Sequence, residues 1–373
     1  MNELSFTYQS FPTRVVFEAG ALNKLQMEAE RCHLDRALLL STSPQSPNTT
    51  RAANVLGKRL AGVFGGAEMH TPVEVTERAL AMLRTIKADG LIAVGGGSAI
   101  GLAKALALRT GLPQIVVPTT YAGSEATPIL GETLNGLKTT QRSLRVLPGV
   151  IVYDPMLTLT LPTALSVSSG LNAIAHAAEA LYAEDRNPLV QMMAQEAVRV
   201  LAEALPRIYA QPLDLPARTN ALYGAWLCGT CLGAVGMALH HKICHTLGGT
   251  FGLPHAETHA VMLPYTLAYN LPYAGDAADR LSRALNGEDP SQALYRLGRD
   301  LGLPTALRDL GMPQDELDHA ADLASESPYA NPRPIERAAI REMLTRAWRG
   351  DTPDDWGFRD IARRQDHDDQ RIH

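Results

Sequence analysis

One glycine-rich segment constrains the fold of this chain more than any other stretch. Gly95-Gly96-Gly97-Ser98 follows an apolar run at 91–94 and precedes a helical pattern from 102 to 108. Glycines let the backbone approach phosphate oxygens closely, and the free amides and dipole of a helix N-terminus attract negative charge. The segment matches neither the G-x-G-x-x-G fingerprint nor the P-loop. It therefore predicts an anion-binding loop whose ligand this segment alone does not specify.

Strands and helices alternate through the first 161 residues. Apolar runs predict strands at 14–17, 36–40, 62–64, 90–94, 114–117 and 149–153, and the segments between them predict helices at about 20–31, 50–60, 74–87 and 98–109. This alternation is typical of a doubly wound parallel sheet. From residue 162 onward, Ala- and Leu-rich helical stretches dominate. The sequence thus predicts an α/β dinucleotide-binding domain at 1–161 and an all-α catalytic domain at 162–373.

Length and composition exclude several classes of protein. The 373 residues are enough for two domains with substantial cores, and the formal net charge of −5 argues against sequence-independent nucleic-acid binding. No apolar span approaches the roughly 20 residues of a membrane helix. The N-terminus lacks signal-peptide features, and four cysteines make no disulfide framework. We expect a soluble, cytoplasmic protein that binds neither nucleic acid nor membrane.

Histidines cluster in the second half of the chain. Two pairs of residues, Asn172 with His176 and His241 with His245, have the four-residue spacing that places side chains on one helix face. Three more histidines lie near the second pair: His240, His255 and His259. Imidazole ligates metals and exchanges protons near neutral pH. A single histidine is more often a helix cap or a core hydrogen-bonding group. The cluster as a whole favours a metal site or proton transfer.

Several motifs in order resemble the iron-containing alcohol dehydrogenase superfamily over nearly the whole chain. Segment 95–104 resembles its nucleotide motif G-G-G-S-x-x-D-x-x-K, and segment 118–125 resembles P-T-T-x-x-x-S-E. Segment 170–179 resembles G-M-D-A-x-x-H-A-x-E, and segment 241–255 resembles H-x-x-x-H-x-x-G-x-x-x-x-x-P-H. The resemblance implies the dehydroquinate synthase-like fold of that superfamily, in which the active site lies in the cleft between an α/β domain and a helical domain.

Two departures from these motifs narrow the resemblance. Metal-dependent members use one Asp and three His as ligands, and the matching positions here hold Asn172, His176, His241 and His255. Asparagine removes the only anionic ligand, so the set binds a divalent cation less well, and we expect no bound metal. Gly101 stands where the nucleotide motif has Asp. Both changes, and the double histidine at 240–241, resemble the maleylacetate reductase branch.

That branch implies an activity, a cofactor and a partner. The implied reaction is the NADH- or NADPH-dependent reduction of the conjugated C=C bond of maleylacetate to 3-oxoadipate, in the degradation of aromatic compounds. The substrate would be a small dianion, and the superfamily makes a homodimer the expected assembly. The segment after the predicted strand 36–40 is Ser41-Thr42-Ser43. An acidic residue in this segment would repel the 2′-phosphate of NADPH, and the segment contains none. Either cofactor is therefore expected.

The resemblance and the side-chain chemistry together imply three groups of site residues. Imidazoles would stabilise the enolate that hydride addition creates on the substrate and donate the proton that its α carbon needs. The first candidates are His241 and His245, and the pocket is completed by His176, His240 and His255. Hydroxyl, amide and basic groups hold the dianion, namely Lys104, Tyr121, Arg142 and Asn172, although Arg142 is equally consistent with a solvated surface charge. Cofactor contacts are expected from Gly95, Gly96, Gly97, Ser98, Thr119, Thr120, Ser124 and Lys138.

Two other enzymatic readings stay open at this point. One is a metal-dependent alcohol dehydrogenase of the same superfamily that tolerates Asn172 as a ligand. The other is a dehydroquinate-synthase-like lyase, which shares the architecture and regenerates its cofactor. The C-x-x-C pair, Cys228 and Cys231, lies in an apolar helical stretch, where packing is a better account than redox chemistry.

Overall fold

The computed structural model describes residues 5–134, 137–326 and 329–353, with the side chains of 137 and 138 outside that description. The chain divides into two compact units, Met1–Met237 and Ala238–His373. The first contains a parallel sheet covered by helices, and the second is helical in every regular element that is described. Each has its own hydrophobic core.

The first unit is built on a six-stranded parallel sheet. The strands in chain order are β1 (Arg14–Phe17), β2 (Ala37–Leu40), β3 (Leu60–Phe64), β4 (Gly90–Gly95), β5 (Gln114–Pro118), β6 (Ile129–Leu134), β7 (Leu137–Arg142) and β8 (Val150–Tyr153). The main sheet has the order β1-β8-β5-β4-β2-β3, with every pairing parallel. All six predicted strands are present, so the predicted α/β class is confirmed.

Helices flank the sheet and form the second unit. Those of the first unit are α1 (Leu25–Arg31), α2 (Pro47–Leu56), α3 (Val73–Ile86), α4 (Gly97–Thr110), α5 (Thr163–Tyr182), α6 (Pro188–Ala210) and α7 (Leu215–Ala234). Those of the second are α8 (Leu239–Phe251), α9 (His255–Asn270), α10 (Gly275–Ala284), α11 (Pro290–Asp300), α12 (Leu317–Ser325) and α13 (Arg337–Arg349). Over the described ranges, no single helix is long and apolar enough to cross a membrane; α7 and α8 meet that criterion only as a bent pair.

The second predicted helix is displaced towards the N-terminus. The sequence analysis places it at about 50–60, whereas α2 begins at Pro47 and ends at Leu56. Ser46 accepts a hydrogen bond from the Thr49 amide at 3.1 Å, and Pro47 occupies the first helical position, where its missing amide is not needed. Gly57 then ends the helix with a positive φ of 53°. Local capping chemistry, which apolar periodicity does not register, sets both ends.

The central strands are buried on both faces, as their near-continuous apolar sequences predict. Every residue of β2, β5 and β8 is buried, and so are the first five of β4. The edge strand β3 is half-buried throughout. A parallel sheet covered by helices on both faces has this distribution of exposure.

The chain reverses its direction across the sheet between β2 and β4. From β2 it runs outward to β3, then returns to the other side of β2 as β4 and continues to β5. Such a topological switch point leaves a crevice outside the carboxyl ends of the two neighbouring strands, and ligands of open α/β sheets bind there. Two segments singled out in the sequence follow these strands: 41–43 after β2 and the glycine loop after β4.

An antiparallel hairpin, β6 with β7, was not predicted. It pairs Ile129 with Arg142 and Leu134 with Leu137. Polar residues and glycine interrupt both strands, ILGETL and LKTTQR, so neither forms the continuous apolar run by which the other strands are predicted. Asn135-Gly136 lies between the two strands in the sequence and is a strong signal for a two-residue hairpin turn. That dipeptide could have indicated the hairpin.

Glycines allow close packing around α5, α6 and α7. A Cβ on Gly170 of α5 would lie 2.6 Å from Leu205 Cδ2, and one on Gly224 of α7 would lie 2.7 Å from Leu201 Cγ. Gly229 of α7 meets the chain that follows β5, because its Cβ would lie 2.1 Å from the Gly123 carbonyl oxygen. No side chain larger than hydrogen fits at that crossing.

These helices belong to the first compact unit, although the predicted domain boundary lies at 161. The change from alternating strands and helices to helices alone lies near the predicted position, because β8 ends at Tyr153 and α5 begins at Thr163. The compact units divide later, at 237, since α7 packs onto the turns at 124–126 and 155–158 of the α/β region. The 161 boundary therefore stays a prediction about secondary structure rather than about packing.

The second unit is held by a core drawn from α8, α9, α12 and α13. Aromatic side chains at the edge of this core donate hydrogen bonds to backbone carbonyls. Tyr265 donates to the Asp351 carbonyl at 2.8 Å, and the Trp348 indole donates to the Met312 carbonyl at 2.8 Å. No strand occurs after residue 162 within the described ranges, in agreement with the helical second half that the sequence predicts.

Replacing Gly229 with alanine tests the closest backbone crossing in the first unit. We expect Gly229→Ala to lower the free energy of unfolding by about 1–3 kcal/mol, because the atoms it meets are backbone and cannot rotate away. Gly149→Ala is the matched control. Its Cβ would meet nothing closer than the Gln114 carbonyl oxygen at 3.8 Å, so its effect should stay within about 0.5 kcal/mol. Equal denaturant midpoints for the two variants would contradict this account.

Candidate active site

The glycine loop has the geometry of an anion cradle. Gly96 is the N-cap residue of α4, and no side chain caps that helix end. A Cβ on Gly96 would lie 2.8 Å from Thr120 Cγ2, whereas one on Gly97 would meet no heavy atom within 4 Å. The loop is therefore closed on one side by the neighbouring segment and open at Gly97. Uncapped amides of a helix N-terminus that face open space can bind a phosphate.

The predicted cofactor residues come together at the carboxyl ends of two adjacent strands. Gly95 pairs with Pro118 at the end of β5, and the Thr119 amide donates to the Gly95 carbonyl at 3.1 Å. Ser124 Oγ is buried and has no hydrogen-bond partner among the described residues, so it can serve a ligand. These contacts bring the loop and the segment 119–124 to one place, which fits a dinucleotide. Lys138 lies on β7, and its side chain is outside the described part of the chain.

Lys104 lies in the interior of the first unit and not on a substrate-binding surface. Its side chain is 1% exposed, and the ammonium donates to the carbonyl oxygens of Ser124 (2.6 Å), Thr127 (2.8 Å) and Ile129 (2.9 Å). Burial lowers the pKa of Lys104 to about 7, partly opposed by the nearby Glu125 carboxylate. The predicted contact with a dianion is not supported by this geometry. Instead, Lys104 fixes the segment that follows the cofactor residues.

Tyr121 and Arg142 are also engaged within the first unit. Tyr121 is fully buried, and its hydroxyl accepts a hydrogen bond from Arg218 at 3.3 Å. Arg142 donates to the Gly233 carbonyl near the end of α7, where a cation complements the helix dipole. The buried Tyr121 hydroxyl is thus engaged by the protein itself, whereas substrate binding by the exposed Arg142 stays a prediction.

Asn172 and His176 lie one turn apart on α5, as their spacing predicts. Asn172 is 3% exposed, and its Oδ1 has no hydrogen-bond partner among the described residues. A buried amide oxygen of this kind is available to a ligand. At the four positions where relatives place metal ligands, however, this chain offers one amide and three imidazoles and no carboxylate. These residue types lack the anionic ligand that would offset part of the charge of a divalent ion, and no catalytic step is assigned to a metal.

The other predicted histidines lie on two packed helices of the second unit. His240, His241 and His245 are on α8, and His255 opens α9. The rings of His241 and His245 are 6.0 Å apart, and those of His240 and His241 are 5.5 Å apart. His245 is exposed and His241 is 6% exposed, so these two remain able to reach a ligand.

His259 is the member of this cluster that the predicted site left out. It is buried on α9, with its ring centroid 4.5 Å from that of His255, 4.9 Å from His240 and 5.1 Å from His241. His240 in turn uses both ring nitrogens, towards Thr266 Oγ1 and His259 Nδ1, each at 3.0 Å. His240 therefore supports its neighbours rather than contacting substrate. The four-residue spacing from His255 was the signal that could have placed His259 in the site.

The C-x-x-C pair is part of the packing of α7. Cys228 and Cys231 are both fully buried. Burial raises the pKa of the Cys231 thiol to about 12 and that of Cys228 well above its ordinary value. Thiols held in this protonated form are poor nucleophiles, so the packing interpretation stands.

Comparison with known proteins agrees with this arrangement. The model of the family described as iron-containing alcohol dehydrogenase matches residues 12–155, and that of the Fe-containing alcohol dehydrogenase family, C-terminal, matches residues 166–348. Together the two matches span nearly all of the described chain.

Individual relatives are similar over almost their full length. The chain is 54% identical to a maleylacetate reductase of Rhizobium sp. (strain MTP-10005) over 349 residues, which cover 94% of this chain and 99% of that protein. It is 52% identical to one from Burkholderia cepacia over the same coverage. The crystal structure of maleylacetate reductase from Agrobacterium tumefaciens superimposes with a TM-score of 0.90 at 54% identity, covering 94% of this chain and 99% of that one. The chain thus belongs to the iron-containing alcohol dehydrogenase family, among its maleylacetate reductases.

Proposed function

We propose that this oxidoreductase reduces the conjugated C=C bond of maleylacetate to give 3-oxoadipate, with NADH or NADPH as the electron donor. The observation that carries the proposal is the likeness to maleylacetate reductases over 94% of the chain. The phosphate-binding geometry of the glycine loop at the switch point of the sheet supports it. A cytoplasmic homodimer remains the prediction for location and assembly.

The chain's own residues have two tasks in this reaction. The glycine loop and segment 119–124 bind the dinucleotide, which when bound supplies a hydride to the carbon β to the substrate ketone. Negative charge then develops on the ketone oxygen, and the α carbon must receive a proton. Imidazolium groups can stabilise that charge and donate that proton. We assign these roles to His241 and His245; His176 and His255 stay predictions as further catalytic residues.

The expected selectivity follows from what the site offers. Residues 41–43, at the carboxyl end of β2, contain no carboxylate to repel a 2′-phosphate, so both NADH and NADPH should serve. Among the residues predicted to hold the dianion, Asn172 has an amide oxygen with no hydrogen-bond partner among the described residues, and rotation of that amide would present its NH2 donors to a substrate carboxylate. We propose it as a direct substrate contact.

An absorbance assay at the NADH band separates the proposed activity from its alternatives. We expect stoichiometric NADH oxidation with maleylacetate and little with simple aldehydes. Activity should survive a chelator, because the proposed charge stabilisers and proton donors are imidazoles and no proposed step needs a metal ion. Loss of activity on chelation, restored by iron or zinc, would favour the metal-dependent alcohol dehydrogenase. Turnover without net NADH consumption would instead indicate a lyase.

Alanine variants test the two imidazoles. His241→Ala with His245→Ala should lower kcat/KM for maleylacetate by about 10²–10³ or more, the usual effect of removing a preorganised oxyanion donor. The control is His319→Ala, an exposed histidine of the same unit that stacks against Phe251. It should leave kcat/KM unchanged. Full activity in the double variant would remove these residues from the mechanism.

Lys104→Met distinguishes a buried clamp from a substrate contact. The change leaves three carbonyls without their donor, so the free energy of unfolding should fall by about 1–3 kcal/mol. Because the segment next to Ser124 is released, KM for NADH should rise more than KM for maleylacetate. The exposed Lys58→Met serves as the control for removal of a lysine. A rise confined to the maleylacetate KM, with unchanged stability, would restore the original assignment.

A further inference from the structure

Three buried side chains of the second unit bring nitrogen and sulfur atoms to one point. His240 and Cys244 lie one turn apart on α8, and His259 faces them from α9. Cys244 Sγ is 3.7 Å from His240 Nε2, which is itself 3.0 Å from His259 Nδ1. One ligand atom from each residue lies within 4.8 Å of the other two. All three residues are at most 1% exposed.

A neighbouring hydroxyl fixes the orientation of the first imidazole. Thr266 Oγ1 lies 3.1 Å from the Met262 carbonyl and 3.0 Å from the Leu263 carbonyl, so its single proton is donated to the backbone. It therefore accepts from His240 Nδ1–H at 3.0 Å. The proton on Nδ1 leaves the lone pair of His240 Nε2 directed at Cys244 and His259. Metal-ligating histidines are oriented in this way by a hydrogen bond from their other nitrogen.

The donor types and spacing select a class of ion. Thiolate with imidazole suits zinc, cobalt and other thiophilic transition metals, and disfavours magnesium and calcium. In a tetrahedral zinc site, bond lengths of about 2.0–2.3 Å place ligand atoms about 3.3–3.6 Å apart. The two imidazole nitrogens are 3.0 Å apart and Cys244 Sγ is 3.7 Å from His240 Nε2, which brackets that range, and the third pair of ligand atoms lies within 4.8 Å, so side-chain rotations would form the site.

We propose that His240, Cys244 and His259 form a binding site for a divalent transition-metal ion of the zinc class. The ion replaces the hydrogen bond between the two imidazoles and bonds to His240 Nε2, His259 Nδ1 and the Cys244 thiolate. The thiol releases its proton to solvent, and the His259 proton moves from Nδ1, where it served the hydrogen bond to His240, to Nε2, so that this imidazole stays neutral. The site differs from the positions at which the family places its metal, because it uses none of those residues and contains a sulfur ligand. It joins α8 to α9.

Cobalt loading of the full-length protein tests the site. The reduced protein, in buffer with a thiol-free reductant, is titrated with CoCl₂ and followed by absorption. We expect a thiolate-to-cobalt charge-transfer band that saturates at about one ion per chain and is displaced by ZnCl₂. Cys244→Ser, a near-isosteric change, should abolish the band, and His259→Asn should weaken cobalt binding at least tenfold. Cys231→Ser, at another fully buried cysteine, should leave the band unchanged.

The sulfur band also keeps this proposal separate from the proposed function. Cobalt bound at Asn172, His176, His241 and His255 would have only nitrogen and oxygen ligands and would give no such band. Absence of the band in the loaded parent protein, or its persistence in Cys244→Ser, would overturn the inference. Either result would leave the reductase assay, which needs no added metal, unaffected. Circular dichroism of each variant establishes that loss of the band is not loss of fold.

Discussion

The cofactor side of this enzyme depends on one buried ammonium group. Lys104 places a cation in an interior that cannot hydrate it, and the segment after β5 surrounds that cation with three carbonyl oxygens. Leaving such a charge uncompensated is costly, so the three carbonyls hold the segment against the lysine when it is protonated. The same segment carries Ser124 and follows Thr119 and Thr120. A structural requirement therefore holds the cofactor-binding residues in place.

A second constraint acts on the same segment from the opposite side. Gly229 of α7 lies so close to Gly123 that a Cβ would come within 2.1 Å of a backbone oxygen. Between the lysine and this crossing, the chain from 119 to 129 has little freedom to move. Binding sites gain precision when their residues are positioned by packing rather than left on free loops. Because of this rigidity, segment 119–124 keeps a fixed position beside the glycine loop at the switch point between β2 and β4.

The second unit concentrates imidazoles on two helices. The four-residue spacings of His241 with His245 on α8 and of His255 with His259 on α9 place one histidine above the other, and the packing of the two helices brings the rows together. Within that array the members have different tasks. Exposed His245 and nearly buried His241 are placed to meet a ligand, whereas His240 and His259 are bonded to each other in the core. A single residue type thus supplies both reactive groups and their support.

The sequence by itself determined the α/β class, the position of the glycine loop, the helical second half and the resemblance that led to a reductase. These follow from local order: apolar runs, turn residues and motifs are readable without knowing what folds against them. Only the tertiary structure decided what individual polar groups do. Lys104, Tyr121 and Arg142 look like ligand-binding residues in sequence, yet their partners come from segments 20 to 97 residues away. Because burial and hydrogen-bond partners are set by such distant contacts, a charge that serves substrate and one that serves the core are indistinguishable until the chain has folded.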